Sequence, residues 1–158
     1  MTKELISMMC QQGKDGLERT FLAVPDDKVT WQPAEGARSA LDAFGDAAQT
    51  FALTAKLLES KGAEIPPMDR NFFMQMKAER SGWTRTEAMT HLEMGWSHFK
   101  GVLESLSEEQ LAMPVTLPIR GGMTAPMAAW AMQAYRTCIS RFAQINYIQT
   151  LYGDSDSH

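Results

Sequence analysis

The side chains of this chain that could do chemistry are few: three histidines, two cysteines, and one arginine, Arg141, set beside the apolar face of a helical stretch. His91 and His98 stand seven residues apart in one helical pattern, about 10 Å along its axis at 1.5 Å per residue. Imidazoles sharing an ion bond it at about 2.0 to 2.1 Å each, so this spacing fits two solvated surface histidines. Glu87 and His91 have an i, i+4 relation that supplies half a metal site, but Glu87 is already accounted for as a helix-cap residue. His158 closes a polar segment, DSDSH, with the composition of a disordered tail. Cys10 and Cys138 lie far apart within helical patterns and read as two reduced core thiols. Nucleophilic use of Cys138 needs a lowered pKa. Arg141 is three residues on, yet Cys138 sits at the centre of an apolar face, where thiols are inert. Gly121-Gly122 lacks the lysine and strand of a phosphate loop. Glu108 and Glu109 are neighbours in a cap, not an acid and base pair.

The elements that must position these residues are helices. From Thr124 to Leu151, Met127, Trp130, Ala131, Ala134, Cys138, Phe142, Ile145 and Ile148 fall on one face at about 100° per residue. Thr124 is the expected N-cap, with Pro126 in the first turn and Gly153 as the stop. Thr137 and Arg141 lie one turn apart at the edge of that face. A guanidinium is not neutralised inside a protein, so Arg141, if buried, needs an anionic or hydrogen-bonding partner.

The first helix is expected over Thr2 to Val24, with Leu5, Ile6, Met9, Cys10, Leu17 and Phe21 inward. Gly13 and Gly16 weaken it and mark close helix approach. A second helix starts at Ser39, with Asp42 three residues on as a capping box, runs through Phe44, Phe51 and Leu58, and ends at Gly62. Asp46 lies on its flank. Asn71 to Arg80 forms a short helix inside a long connection. Thr84 and Glu87 box the start of a third long helix, whose buried stripe is Met89, Leu92, Trp96, Phe99, Leu103 and Leu106. Ser107 caps a short turn before an extended passage, Pro114 to Ile119. Four long helices with long crossovers predict an all-α four-helix bundle over residues 1–153, followed by a polar tail, 154–158. Most of the twelve methionines serve as core filling, Met9, Met89 and Met127 among them.

At 158 residues, with 44% hydrophobic and 22% charged content, the chain reads as one globular domain. Fifteen Lys and Arg against nineteen Asp and Glu give a net charge of −4 without a basic stripe, which argues against a nucleic-acid partner. No apolar run approaches a membrane span, and the first residues are too polar for a signal peptide, so a cytoplasmic protein is expected.

Three segments, VPDDKVTWQPAEGARSALDAFGDAAQ, TRTEAMTHLEMGWSHFKGVLESLSEEQL, and GGMTAPMAAW followed by RFAQINYIQTLYGD, together resemble the DinB-like superfamily, the damage-inducible and YfiT-related bundles. The resemblance covers nearly the whole chain. It implies the family's four-helix bundle, frequently a homodimer. In many relatives it also implies a divalent metal held by three histidines, one on the second helix and two, four residues apart, on the last. Those positions fall here on Asp46, Thr137 and Arg141, and none is histidine. Asp46 alone suits a metal, Thr137 is a poor neutral ligand, and Arg141 opposes a cation. The expectation is therefore no metal and no cofactor.

In its place an ion pair between Asp46 and Arg141 is expected across the second and last helices, with Thr137 nearby. The alternative is that Arg141 snorkels to solvent. The leading function is a metal-free bundle acting as a small-molecule-binding or interaction protein, with a small anionic ligand as the partner Arg141 would suit. The competing function is an enzyme of the family, a thiol-dependent S-transferase or isomerase, or a hydrolase, using the same cleft. A third is a purely structural homodimer built on an exposed apolar helix face.

Overall fold

The computed structural model describes residues 2–119 and 121–158. The elements run in order α1 (Lys3–Leu22), a 3-10 turn (Asp26–Lys28), α2 (Ala40–Ser60), α3 (Arg70–Arg80), α4 (Arg85–Ser105), α5 (Glu108–Ala112), β1 (Pro114–Leu117), β2 (Met123–Pro126) and α6 (Met127–Leu151). The long helices α1, α2, α4 and α6 make an all-α four-helix bundle. In it α2 packs on both α4 and α6, and α1 packs on α6. The short helix α3 lies against α2 and walls off one side of the α2–α6 interface.

Apolar periodicity builds this core. Phe21 stacks on Phe44 with ring centroids 4.0 Å apart, joining α1 to α2. Phe51 meets Trp96 and Phe99 edge-on, joining α2 to α4. Gly95 allows the latter approach: a Cβ there would stand 3.1 Å from the Ala48 carbonyl oxygen and 3.2 Å from the Ala52 nitrogen. Gly13 does the same between α1 and α6, 3.1 Å from the Tyr135 ring and 3.2 Å from Cys138 Cβ. Gly16, expected to do likewise, meets only ordinary contact at 3.8 Å. Leu5, expected inward, is exposed, and Met9 is half-buried, because the α1 interface is narrower than its apolar stripe.

The caps depart from expectation in two places. At Ser39 the hydroxyl accepts from the Asp42 N–H, but the Asp42 carboxylate does not close the box, because it is taken up by the guanidinium of Arg80. Thr124 caps nothing. It pairs with Thr116 in an antiparallel β1–β2 ladder, their hydroxyls 2.7 Å apart, and α6 begins three residues later at Met127 without a side-chain cap. Two extended tetrapeptides with a glycine turn between them satisfy each other's backbone groups, which an isolated N-cap at Thr124 would leave open. The Thr84–Glu87 and Ser107–Gln110 boxes are complete. Helix α2 ends one residue early, at Lys61 in a left-handed conformation (φ 52°), followed by Gly62 (φ 83°), whose N–H bonds the Leu57 carbonyl.

Candidate functional site

The site grows from two carboxylates one turn apart on α2. Asp42 and Asp46 lie on the flank that faces α3 and α6, and three arginines from three different places converge on them. Arg141 on α6 donates through Nε to Asp46 Oδ2 at 2.7 Å, and its Nη2 lies 2.7 Å from the same oxygen as an ion pair. Arg80, the last residue of α3, donates through Nε to Asp42 Oδ1 at 2.7 Å, and its Nη1 lies 3.3 Å from Asp46 Oδ1. Arg38, just before α2, places Nη1 3.5 Å from Asp46 Oδ2 and 3.6 Å from Asp42 Oδ2. These last contacts are ionic only. Arg38 Nη1 and Asp42 Oδ2 are shielded from solvent and neither has a hydrogen-bond partner.

The expected Asp46–Arg141 pair is therefore present, but as part of a larger network. Three guanidiniums against two carboxylates leave a net charge of +1. Arg141, with its side chain 19% exposed, is also less buried than Arg80, at 3%. Arg80 is further held by Gln49, whose Oε1 accepts from Nη1 at 2.9 Å and whose Nε2 donates to the Met76 carbonyl and to Glu79. Position 80 concealed this role in the sequence, because a cation in the last turn of a short helix is the ordinary complement of the helix dipole. A readable signal was the i, i+4 pair of acids at 42 and 46, which calls for more positive charge than Arg141 alone supplies.

Asp46, Thr137 and Arg141 all line one cavity of about 570 Å³ between α2, α3, α6 and the hairpin. Helix α6 runs antiparallel to α2. Its Arg141 meets Asp46 near the start of α2, while its Trp130 donates to the Val115 carbonyl beside Gly62, just past the end of α2. Away from the ion pair, α2 offers Thr50, Thr54 and Leu57, and α6 offers Thr137, Gln133 and Trp130. The lining thus passes from charge, through hydroxyl and amide, to hydrocarbon. Thr137 does not hydrogen-bond the pair. Instead Gln144 Oε1 accepts from Arg141 Nη1 at 2.7 Å.

This donor set does not suit a divalent metal. Among the described residues no three His, Cys, Asp or Glu side chains cluster as ligands. Both carboxylates that could contribute are already engaged by guanidiniums, whose fixed charge repels a cation. The histidines lie elsewhere. His91 stacks flat on Trp83 at 4.0 Å beside a smaller cavity of about 310 Å³, and is more anchored than a freely solvated ring. His98 stands 3.5 Å from Glu59, and His158 folds back to within 2.9 Å of Asp154 Oδ2. Glu87 serves as a cap, accepting from the Thr84 N–H at 2.7 Å.

Cys10 and Cys138 are both free and buried. Burial pushes the Cys10 thiol up to about 12, and burial likewise raises Cys138, so neither offers a thiolate near neutral pH.

No protein-family model matches the sequence, and no curated protein matches it. Solved structures do share the fold. A mycothiol-dependent maleylpyruvate isomerase superposes with a TM-score of 0.77 at 14% identity, covering 92% of this chain and 61% of that one. YfiT from Bacillus subtilis, described as a probable metal-dependent hydrolase with an unusual four-helix bundle topology, gives 0.76 at 12% identity over 96% of this chain and 87% of that one. The DinB-like protein YjoA, also from Bacillus subtilis, gives 0.70 at 16% identity over 98% and 96%. The chain spans about three fifths of the length of the isomerase. At such identities the likeness is one of fold.

Proposed function

We propose that this DinB-like bundle is a metal-free member of its superfamily, with an arginine–aspartate network at the position where metal-binding relatives hold their ion, and that it binds a small anionic molecule in the α2–α6 cleft. The observation that carries this reading is the double contact of Arg141 Nε and Nη2 with Asp46 Oδ2, each at 2.7 Å. A dication entering there would have to displace a guanidinium and meet an environment already at +1. An anion is instead drawn towards it.

Titration calorimetry of the purified protein with Zn²⁺ and Ni²⁺ tests the reading. No stoichiometric uptake is expected; one equivalent bound per chain overturns it. In the variant Asp46→His/Thr137→His/Arg141→His, three imidazoles on the same scaffold should take up metal tightly, and failure to do so would mean that these positions are not the family's ligand positions.

Nucleophilic use of Cys138 finds little support, because both cysteines are buried and held protonated. Two free core thiols suit a reducing, cytoplasmic setting. No helix among the described residues is long and apolar enough to cross a membrane. Homodimer formation is part of the same proposal, supported by exposed Ile139 and Tyr147 on α6, and sedimentation at micromolar concentration measures it directly.

A further inference from the structure

We propose that the ligand is a monocarboxylate with an apolar body, its charged end read by Arg136 together with Gln133 and Thr137, and not by Arg141. This rests on the anion-binding reading of the cleft and specifies its chemistry.

The Arg141 guanidinium is already committed along its Nε edge and at Nη1, and its charge is countered by Asp46. Nε and Nη2 serve Asp46, and Nη1 serves Gln144. Arg38, which also lines the cavity, lies between the two aspartates. Arg136 is the third guanidinium of the lining, and among the described residues it takes part in no ion pair. Gln133 and Thr137 flank it within one turn of α6 and line the same cavity, and neither side chain has a hydrogen-bond partner among the described residues. One free guanidinium fork with a neighbouring amide and hydroxyl is a donor set matched to one carboxylate.

The opposite wall excludes the anion. The Thr50 hydroxyl donates to the Asp46 carbonyl at 2.8 Å and the Thr54 hydroxyl to the Thr50 carbonyl at 2.7 Å, so both present only lone pairs to the cavity. The Asp46 oxygens are acceptors already taken by guanidiniums and offer no donor on that side. A carboxylate is thereby directed to the α6 wall.

The far end of the cavity offers no polar group to a second charge. Leu57, Ile65, Leu117 and Trp130 are each at most 6% exposed, and the Trp130 N–H is already given to the Val115 carbonyl at 2.9 Å. From Asp46 to Leu57 the α2 wall extends about 16 Å along the helix axis. Phe73 of α3 and Met123 of the hairpin, both about half exposed, stand at the rim. A cavity of about 570 Å³ is of the size that encloses a small organic molecule.

Calorimetry with hexanoate, octanoate and 1-octanol on the wild type and on Arg136→Gln and Arg136→Lys decides the matter. Octanoate should bind the wild type roughly 15-fold more tightly than hexanoate, since each of its two extra buried methylenes contributes about fourfold. Arg136→Gln should weaken octanoate by about 10- to 100-fold while leaving 1-octanol unchanged, and Arg136→Lys should recover only part, because an ammonium cannot form the fork. Arg136 is exposed, so its replacement should leave the melting temperature unchanged, which a melting curve checks. Octanoate bound equally by wild type and Arg136→Gln, or equal loss for octanoate and octanol, overturns the assignment to Arg136 while the cleft remains an anion site. Absence of carboxylate binding to the wild type at millimolar concentration overturns the anion reading itself.

Discussion

Replacing Asp46 by Ala should destabilise this protein more than replacing Arg141 by Met, although the two side chains form one ion pair. The reason is the charge count of the network. Arg38, Arg80 and Arg141 against Asp42 and Asp46 sum to +1. Asp46→Ala raises this to +2 and leaves Arg141 facing Arg38 and Arg80 with one carboxylate among them. Arg141→Met lowers it to zero, and Asp46 keeps Arg80 at 3.3 Å and Arg38 at 3.5 Å. Stranding a fully buried charge costs about 3 to 5 kcal/mol. The Asp46 and Arg141 side chains are 18% and 19% exposed, so solvent screening reduces this to about 2 to 4 kcal/mol for Asp46→Ala. Arg141→Met should cost about 1 kcal/mol, the net worth of the hydrogen bonds it gives up, partly offset by better desolvation. The double variant restores +1 and should cost less than the sum of the singles by about 1.5 to 3 kcal/mol. Urea unfolding reads all four proteins. With a slope of about 2 kcal/mol per molar, the Asp46→Ala midpoint should fall by about 1 to 2 M at unchanged slope. Equal single effects that add to within about 0.5 kcal/mol would refute the reasoning, since they would show each side chain acting alone in solvent.

Two glycines on helix interiors should respond in opposite directions to alanine. Gly95→Ala should destabilise by about 1 to 3 kcal/mol, because its Cβ would press on α2 backbone at 3.1 to 3.2 Å; Gly16→Ala, with nothing nearer than 3.8 Å, should stabilise by about 0.5 to 1 kcal/mol, and thermal melting compares them. The buried thiols give a pH dependence of definite sign. A thiol of ordinary pKa 9.0 in the unfolded chain and about 12 at Cys10 when folded releases its proton first on unfolding, so stability should fall from about pH 9 to 12. The slope is about 1.4 kcal/mol per pH unit for that group, and removing it with Cys10→Ala should flatten the measured profile by that amount. In the native state at pH 8 neither cysteine should react with a disulfide reagent within minutes, and both should react once urea unfolds the chain.

Local signals made the helices readable. The apolar stripe of α4 and its Thr84–Glu87 box, the turn at Lys61–Gly62, and the inward face from Met127 to Ile148 all depend on residues within a few positions of one another. Where a local signal competed with a distant partner, it misled. Thr124 looks like an N-cap until Thr116 is beside it, and Asp42 looks like half of a capping box until Arg80, 38 residues on, claims its carboxylate.

The candidate site divides in the same way. Composition and period alone determined that this is an all-α bundle with an acid on its second long helix and an arginine on its last. They also placed Asp46, Thr137 and Arg141 at helix edges, while the grouping of the three into one site was what the family resemblance implied. Only the tertiary structure decided that Arg38 and Arg80 join the pair, that Arg141 is committed to Asp46 and Gln144, and that Arg136 on the same wall has no ion-pair partner among the described residues. Helix-forming patterns are short-range and repeat with the backbone, so one sequence suffices to read them. Which charges cancel and which remain depends on distances between residues 38, 46, 80 and 141, and those distances exist only once the chain has folded.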